Sequence, residues 1–340
     1  MDHLHTDYNL YQSEIRKYIQ THIYHKPCLE VEFLGSKYFV MIKKKQIWPL
    51  SIQRYQILWV RLQSFLTDPQ YVHDQISQLR NNLCHHSGDI FIQLGLIDPL
   101  CQYHSTDLKD PLLRQDIRAR RVHLQDMLHD RRGFKTTVRE NMPMANVTID
   151  CTQPRDLIQK NFSTSCRNHI KKWLSHHYTF EPKPNTQDIK AFFPIRQETM
   201  HAKWVYTITE QMYYNLLDYL AQGNQWGLFL VKHKHDIVSW SICLIDDATM
   251  LYLYGASNRS RGNTGGHHLL KYHLIDHAIQ TGLQVFDFFW ASPTGYDDHH
   301  LIGVSRFKES FGWIKTEYYG SYDIVVNRLL YQLMQWRSQL

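Results

Sequence analysis

Cysteine is scarce in this chain. The six present (Cys28, Cys84, Cys101, Cys151, Cys166 and Cys243) are scattered and form no C-x-x-C pair. A small disulfide scaffold is thereby excluded, and reduced, mostly structural thiols in a cytosolic protein are the economical reading. Long hydrophobic runs are missing too: none approaches the roughly 20 residues that cross a membrane as a helix. The first stretch, MDHLHTDYNLYQSEIRKY, has no basic segment leading into an apolar one, so no signal peptide is expected. There is no Walker sequence, no G-x-S-x-G elbow and no Cys-His constellation, which argues against P-loop and enzyme-nucleophile chemistry.

What is there suits a soluble, globular protein. Of the 340 residues, 43% are hydrophobic and 21% charged, which separates the chain from disordered sequences. That length is large for one core, so two domains are expected. The formal net charge of +6 favours polyanionic partners without selecting one.

Along the chain, strands are expected at CLEVEFLG and KYFVMIKKKQIW, turned at Gly35-Ser36, followed by a mixed helical segment over 54–84. An apolar strand from Ile90 to Leu96 should stop at Asp98-Pro99. A basic helix is expected from Pro111 to His129 and a strand at KTTVREN. The second half reads as two short helices and a strand over 152–182, then helices near 186–201 and 209–222. Three strands follow: WGLFLVKHK, IVSWSICLID and MLYLYGAS. A glycine-rich turn then opens a helix with Leu270, Leu274 and Ala278 on one face. After it come the strand QVFDFFWA, a helix carrying SRFKESFG and the strand KTEYYGSYDIVV. In the tail, Leu329, Leu333 and Trp336 form one stripe, so the tail should pack back on the body. Mixed sheets with helices on their faces follow from this order, in an α/β (α+β) chain of two related halves.

Three features bear on chemistry. The turn RSRGNTGG follows a strand and opens a helix, a geometry that aims backbone N–H groups at an anion. Arg259 to Thr264 fits the first part of the R/Q-x-x-G-x-G/A pyrophosphate turn of acetyl-CoA-dependent N-acyltransferases and fails at its last position, so a plain helix-opening turn stays an equal reading. Adjacent histidine pairs recur, at 85–86, 176–177, 267–268 and 299–300, but without metal-ligand spacing, and no metal or other cofactor is expected. In SRFKESFGW, Lys308 stands between Phe307 and Phe311. It is either a surface lysine laying its stem on an apolar face or a cation held for phosphate or a developing oxyanion. An acyl group that arrives activated can be attacked directly by an amine. Such a reaction needs proximity, a route for the amine's proton and a stabilised oxyanion, and no enzyme nucleophile.

Taken in order, these segments resemble the FemX/FemAB family of peptidoglycan-bridge aminoacyltransferases. The likeness rests on RENMPMANVTIDCTQPRDLIQKNFSTSCRNHIKKWLSHHYTFEP, MLYLYGASNRSRG, GLQVFDFFWASP and GVSRFKESFGWIKTEYYGSYDIVVN. In the first half, IFIQLGLIDPL is similar to the family's strand ending in Asp-Pro. It is dense from about 135 to 327 and thin before. The resemblance implies two tandem GNAT-like acyltransferase domains, over 1–145 and 146–322, with 323–340 returning to the first. It implies the compact form without a helical arm, acting as a cytoplasmic monomer. The implied reaction carries an amino acid from aminoacyl-tRNA to the side-chain amine of the stem peptide, on UDP-MurNAc-pentapeptide or lipid II. Any membrane contact would be peripheral, at the inner face.

By position, the resemblance makes Lys308 the Phe-Lys lysine beside the acyl ester and the tRNA end, with Phe307 next to it on the donor side. Asp98 would orient the acceptor ammonium, whose pKa of about 10.4 requires a proton to leave before attack, and is a candidate to accept it. An Asp-Pro turn is the alternative reading. Tyr254 falls on the tyrosine of the acceptor-binding strand, with core packing as its alternative. Where the family has a phosphate-binding arginine, this chain has Lys203, which keeps charge but loses the bidentate fork. The partner lysine near the N-terminus has only Lys17 in its neighbourhood. After the strand aspartate the family often has glycines; here stand Phe289 and Trp290. Arg118, Arg121, Lys171 and Lys172 could meet tRNA phosphates or form a solvated face. Two other functions stay open: an acyl-CoA-dependent N-acyltransferase and a non-catalytic binder of tRNA or wall precursors.

Overall fold

The computed structural model describes residues 27–47, 50–61, 68–104, 144–182, 209–221, 226–258, 265–297 and 299–338 throughout, with shorter pieces between 17 and 22, 107 and 136, and 193 and 197. The first half begins with β1 (Cys28–Phe33) and β2 (Ser36–Ile47), an antiparallel hairpin. Leu34 and Gly35 turn it with φ of 53° and 72°, the left-handed pair whose twist matches the flanking strands. β3 (Leu50–Val60), α1 (Pro69–Leu83) and β4 (Asp89–His104) follow. Asp68 caps α1, its carboxylate accepting from the N–H groups of Gln70 and Tyr71 at 2.9 and 3.1 Å.

Two expectations for this half are corrected. Residues 54–60 are strand rather than helix, because Tyr55 and Ile57 lie between β2, paired antiparallel, and β4, paired parallel. The helical stretch begins only after Asp68. Nor does Asp98-Pro99 stop β4, which continues to His104. The missing N–H of Pro99 is absorbed where the register with β12 (Ile314–Val325) shifts on both sides of Tyr318, the kind of bulge at which a sheet tolerates proline.

The remaining elements are β5 (Phe134–Thr136), β6 (Ala145–Asp150), α2 (Arg155–Asn161), α3 (Thr164–Leu174), β7 (Tyr178–Pro182), α4 (Glu210–Ala221), β8 (Trp226–His233), β9 (Asp236–Ile245), β10 (Thr249–Ser257), α5 (Gly266–Gln280), β11 (Val285–Ala291), α6 (Ile302–Glu309) and α7 (Arg328–Ser338). β5 is the described part of the strand expected at KTTVREN. Of the basic helix expected from Pro111, residues 112–117 are helical, whereas Arg118 and Arg121 lie outside the described residues. Most of the helix expected near 186–201 lies outside them as well.

One mixed sheet runs through the chain in the order β1-β2-β3-β4-β12-β6-β11-β10-β9-β8-β7, with β5 also on β12. The expected mixed-sheet α/β class is what the chain folds into. Apolar layers cover both faces of its second half. On one face α4 buries Tyr213, Leu216 and Leu217 against Trp240 and Leu251. On the other, Leu270 and Leu274 of α5 meet Phe286, Phe288 and Phe311.

The tail does pack back, though not by the expected stripe. Tyr331 is buried, edge-on to Phe91 of β4 at 5.5 Å, and its hydroxyl donates to Asp323 Oδ2 at 2.8 Å. That bond sets the rotation of α7, so Leu330 and Met334 face inward while Leu329, Leu333 and Trp336 stay exposed.

Gly312 ends the turn after α6 at φ 68°, and a Cβ there would fall 2.6 Å from the Asn161 carbonyl oxygen. Gly312→Ala is expected to destabilise by about 2–4 kcal/mol, from left-handed strain plus overpacking, read as a lower urea midpoint with unchanged slope. His268 stacks on His169 at 4.7 Å and packs on Phe307; burial first, then its histidine neighbours, lower its pKa to about 3. The unfolded chain binds that proton near pH 6.5, so stability should fall as pH drops from there toward 3. Equilibrium unfolding of His268→Gln should show a pH slope shallower by one proton, about 1.4 kcal/mol per pH unit, in that window.

Candidate active site

β10 and β11 run parallel for three residue pairs, Thr249 with Val285, Met250 with Phe286 and Leu251 with Asp287, and then part. Both strands continue, β10 to Ser257 and β11 to Ala291, so the sheet opens between them. Each is irregular just past that point. β10 shifts register on β9 between Tyr252 and Tyr254, and β11 shifts on β6 between Asp287 and Trp290. Within the β11 bulge Phe289 adopts φ 63°, a conformation costly for an aromatic residue.

Two opposite charges hold that bulge. The Asp287 carboxylate accepts the Phe289 N–H at 2.6 Å through Oδ1 and the Asn146 amide at 3.1 Å through Oδ2. Lys308, only 7% exposed, donates from Nζ to the Phe289 carbonyl at 3.1 Å and the Trp290 carbonyl at 2.5 Å. Its helix is anchored at the other end: Ser305 Oγ accepts the Ser292 N–H at 2.5 Å and donates to the Leu301 carbonyl at 3.0 Å. Phe307 and Phe311, 5.5 Å apart and edge-on, set the side of α6 that faces α5. Lys308 is therefore not a surface lysine. It is a buried cation with a fixed ammonium at a strained strand end, a position suited to meeting negative charge.

The segment after β11 is pinned by another buried acid. Glu317 of β12 accepts from the Tyr103 hydroxyl at 2.8 Å and the Thr294 N–H at 3.0 Å. Burial, then the Glu317 charge, push the Tyr103 phenol above its usual pKa and keep it a donor.

A second lysine lies on the neighbouring helix. Lys271 of α5 is 4% exposed, its Nζ sits on the face of the Tyr252 ring, and it has no hydrogen-bond partner among the described residues. Sequence reading passed over it, although the signal was present. Lys271 stands at the start of an i, i+3, i+4, i+7 series with Leu274, Ile275 and Ala278, a charged residue on an apolar ridge.

The sequence-derived residues divide between the sheet's two faces. Phe307 packs on His267 and His268, both 5.0 Å away, on the α5 side with Lys308. Tyr254 is half-buried on the α4 side, edge-on to Tyr213 at 6.1 Å. Lys17 is helical, its ammonium 4.9 Å from the Phe39 ring centre, and the adjacent Tyr18 stacks on Tyr219 of α4 at 3.8 Å. Lys17 and Tyr254 thus border one helix. Asp98 lies within β4, its side chain outside the described residues, as are Lys203 and the Arg259–Thr264 turn. Lys171 and Lys172 are exposed on α3. Among the described residues, no cluster of three or more His, Cys, Asp or Glu could hold a metal, and no helix is long and apolar enough to cross a membrane.

Residues 228–338 match the model of the FemAB family. The chain is similar to the lipid II:glycine glycyltransferase of Staphylococcus haemolyticus (strain JCSC1435), 29% identical over 107 residues, 31% of this chain and 26% of that protein. The protein of the same name from Staphylococcus aureus (strain USA300) is 28% identical over 105 residues, 31% of this chain and 25% of that one. The matched stretch spans about a quarter of the length of these curated relatives. Among solved structures, FemX superposes with a TM-score of 0.64 at 17% identity, over 95% of this chain and 94% of FemX. The C-terminal domain of a putative lysylphosphatidylglycerol synthetase from Agrobacterium fabrum superposes with a TM-score of 0.52 at 11% identity, over 96% and 95%. At such identities the likeness is one of fold. The stretch that matches the FemAB family model, residues 228–338, is the part of the chain that carries Lys271, the β11 bulge and Lys308.

Proposed function

We propose that the protein transfers an amino acid from aminoacyl-tRNA to the side-chain amine of a peptidoglycan stem peptide, on lipid II or UDP-MurNAc-pentapeptide. The observation that carries this reading is that the family match covers the β11 bulge and the buried Lys308 together. The names of the curated relatives, lipid II:glycine glycyltransferases, support the acceptor class. The chain would work as two tandem acyltransferase-like units, residues 1–145 and 146–322, with 323–340 returning to the first.

In this mechanism the donor's ester carbonyl lies at the parting of β10 and β11. The acceptor amine attacks it directly, and the charge that grows on the carbonyl oxygen is met by the Lys308 ammonium. Because Lys308 is already held by two strand carbonyls, little reorganisation is needed when that charge forms. Phe307 holds the donor side of the helix. Asp98 orients the acceptor ammonium, while Lys203, Lys17 and Tyr254 bind the remainder of the acceptor.

The test is a transfer assay with purified protein, a mixture of radiolabelled aminoacyl-tRNAs and either UDP-MurNAc-pentapeptide or lipid II, with acetyl-CoA as a parallel donor. Label should pass from tRNA to one acceptor, and Lys308→Ala should lower kcat by roughly 100-fold or more. Acylation from the CoA donor alone would make the protein an acyl-CoA-dependent N-acyltransferase. Transfer from neither donor, with tRNA binding intact, would leave a binding role.

A further inference from the structure

Lys271 is the buried group that the preceding mechanism leaves without a task. A buried ammonium would present three donors, and none of the described residues accepts from this one. The groups facing it are neutral or positive. β9 turns the fully buried Cys243 thiol toward it, β10 the Tyr252 ring, and α6 the Lys308 charge. From β8 the same layer receives Phe229 and Val231, and from β11 Phe286 and Phe288. Asp287, which alternates with those two phenylalanines, binds Asn146 on the other side of the sheet. On α3, His169 stacks on His268.

Burial, and then Lys308, hold the Lys271 amine well below the usual lysine range, against a smaller pull upward from Cys243. Burial likewise pushes the Cys243 thiol up to about 12, so it supplies no anion. That environment favours the neutral Lys271 amine over the ammonium, and no described residue accepts a hydrogen bond from it. Two buried lysines in contrasting surroundings, one donating to two strand carbonyls and the other with no acceptor among the described residues, form the pattern expected of a charge stabiliser beside a base.

We propose that Lys271 takes the proton from the attacking ammonium; this rests on the aminoacyl-transfer reading above. Tyr252, just past the point where β10 and β11 part, covers the amine, so a substrate entering the opening meets this ring first. The acceptor R–NH3+ gives one proton to the Lys271 amine and becomes R–NH2. Its lone pair forms the C–N bond at the ester carbonyl, and the oxygen's negative charge faces Lys308. Collapse breaks the C–O bond, and the leaving ribose oxygen takes the amine's second proton. Lys271 then returns its proton to water.

The experiment compares wild type with Lys271→Met, which keeps chain length and removes the amine. Because Met suits a buried apolar site, the variant should fold with an unchanged or higher Tm. Its kcat should fall by about 100-fold or more at unchanged KM, and the acid limb of the kcat–pH profile should disappear. Separately, NMR of protein labelled with 13C at the lysine ε-carbon should show the resonance absent from Lys271→Met titrating well below the remaining lysines. Wild-type kcat and pH profile in a folded Lys271→Met would overturn the inference, as would a Lys271 resonance that titrates with the surface lysines. A wild type silent with every aminoacyl-tRNA would remove the transfer reading first, and the base assignment with it.

Discussion

The whole architecture depends on where β12 is inserted. This strand pairs with β4 over its entire length from Ile314 to Val325 and, on its other edge, with β6 over Ile314–Glu317. Without it the sheet would have no connection between β4 and β6. Its buried polar residues reach three separate elements. Lys315 pairs with Glu309 at the end of α6 at 2.9 Å, Glu317 holds Tyr103 and the segment after β11, and Asp323 receives Gln93 of β4 and Tyr331 of α7. Buried ion pairs often add little net stability after desolvation. Here their geometry is directional, and a one-residue slip of β12 would strand all three side chains on the wrong face. The register of the strand and the placement of α6 and α7 are thus one constraint.

That constraint reaches the candidate site through α6. Lys315 and Glu317 fix the strand that follows the helix and the segment that precedes it, and Ser305 ties the helix to the end of β11. Lys308 can then hold the β11 bulge, where a left-handed Phe289 costs on the order of 1–3 kcal/mol. Asp287 supplies the opposite charge from the other side. Strain of this kind persists only where its surroundings over-determine it. In the proposed chemistry its use is to hold a cation and an opened sheet edge in place before substrate arrives.

The two lysines near this opening differ only in environment. Lys308 meets two carbonyls and stays a donor, whereas Lys271 meets an aromatic face, a neutral thiol and a like charge. In the proposed reaction these identical side chains take different tasks, distinguished by burial and partners, and no metal or enzyme nucleophile is required.

Local pattern alone was enough for most elements of residues 145–338. Short runs rich in apolar, β-branched and aromatic residues marked β8 to β10, the glycine-rich turn marked the start of α5, and the Phe-Lys block located α6 and Lys308. These features are encoded within a few residues of one another. It was tertiary pairing that carried β4 through Pro99, since a bulge opposite Tyr318 absorbs the missing N–H. Pairing likewise made residues 54–60 a strand, because β2 and β4 flank them. The face of α7 was settled by one long-range bond, Tyr331 to Asp323, which outweighs the more hydrophobic stripe. Lys271 was visible as a lysine on an apolar ridge. That its ammonium is disfavoured and lacks an acceptor among the described residues follows only from what the fold places around it, because burial and neighbouring charge are not local properties of sequence.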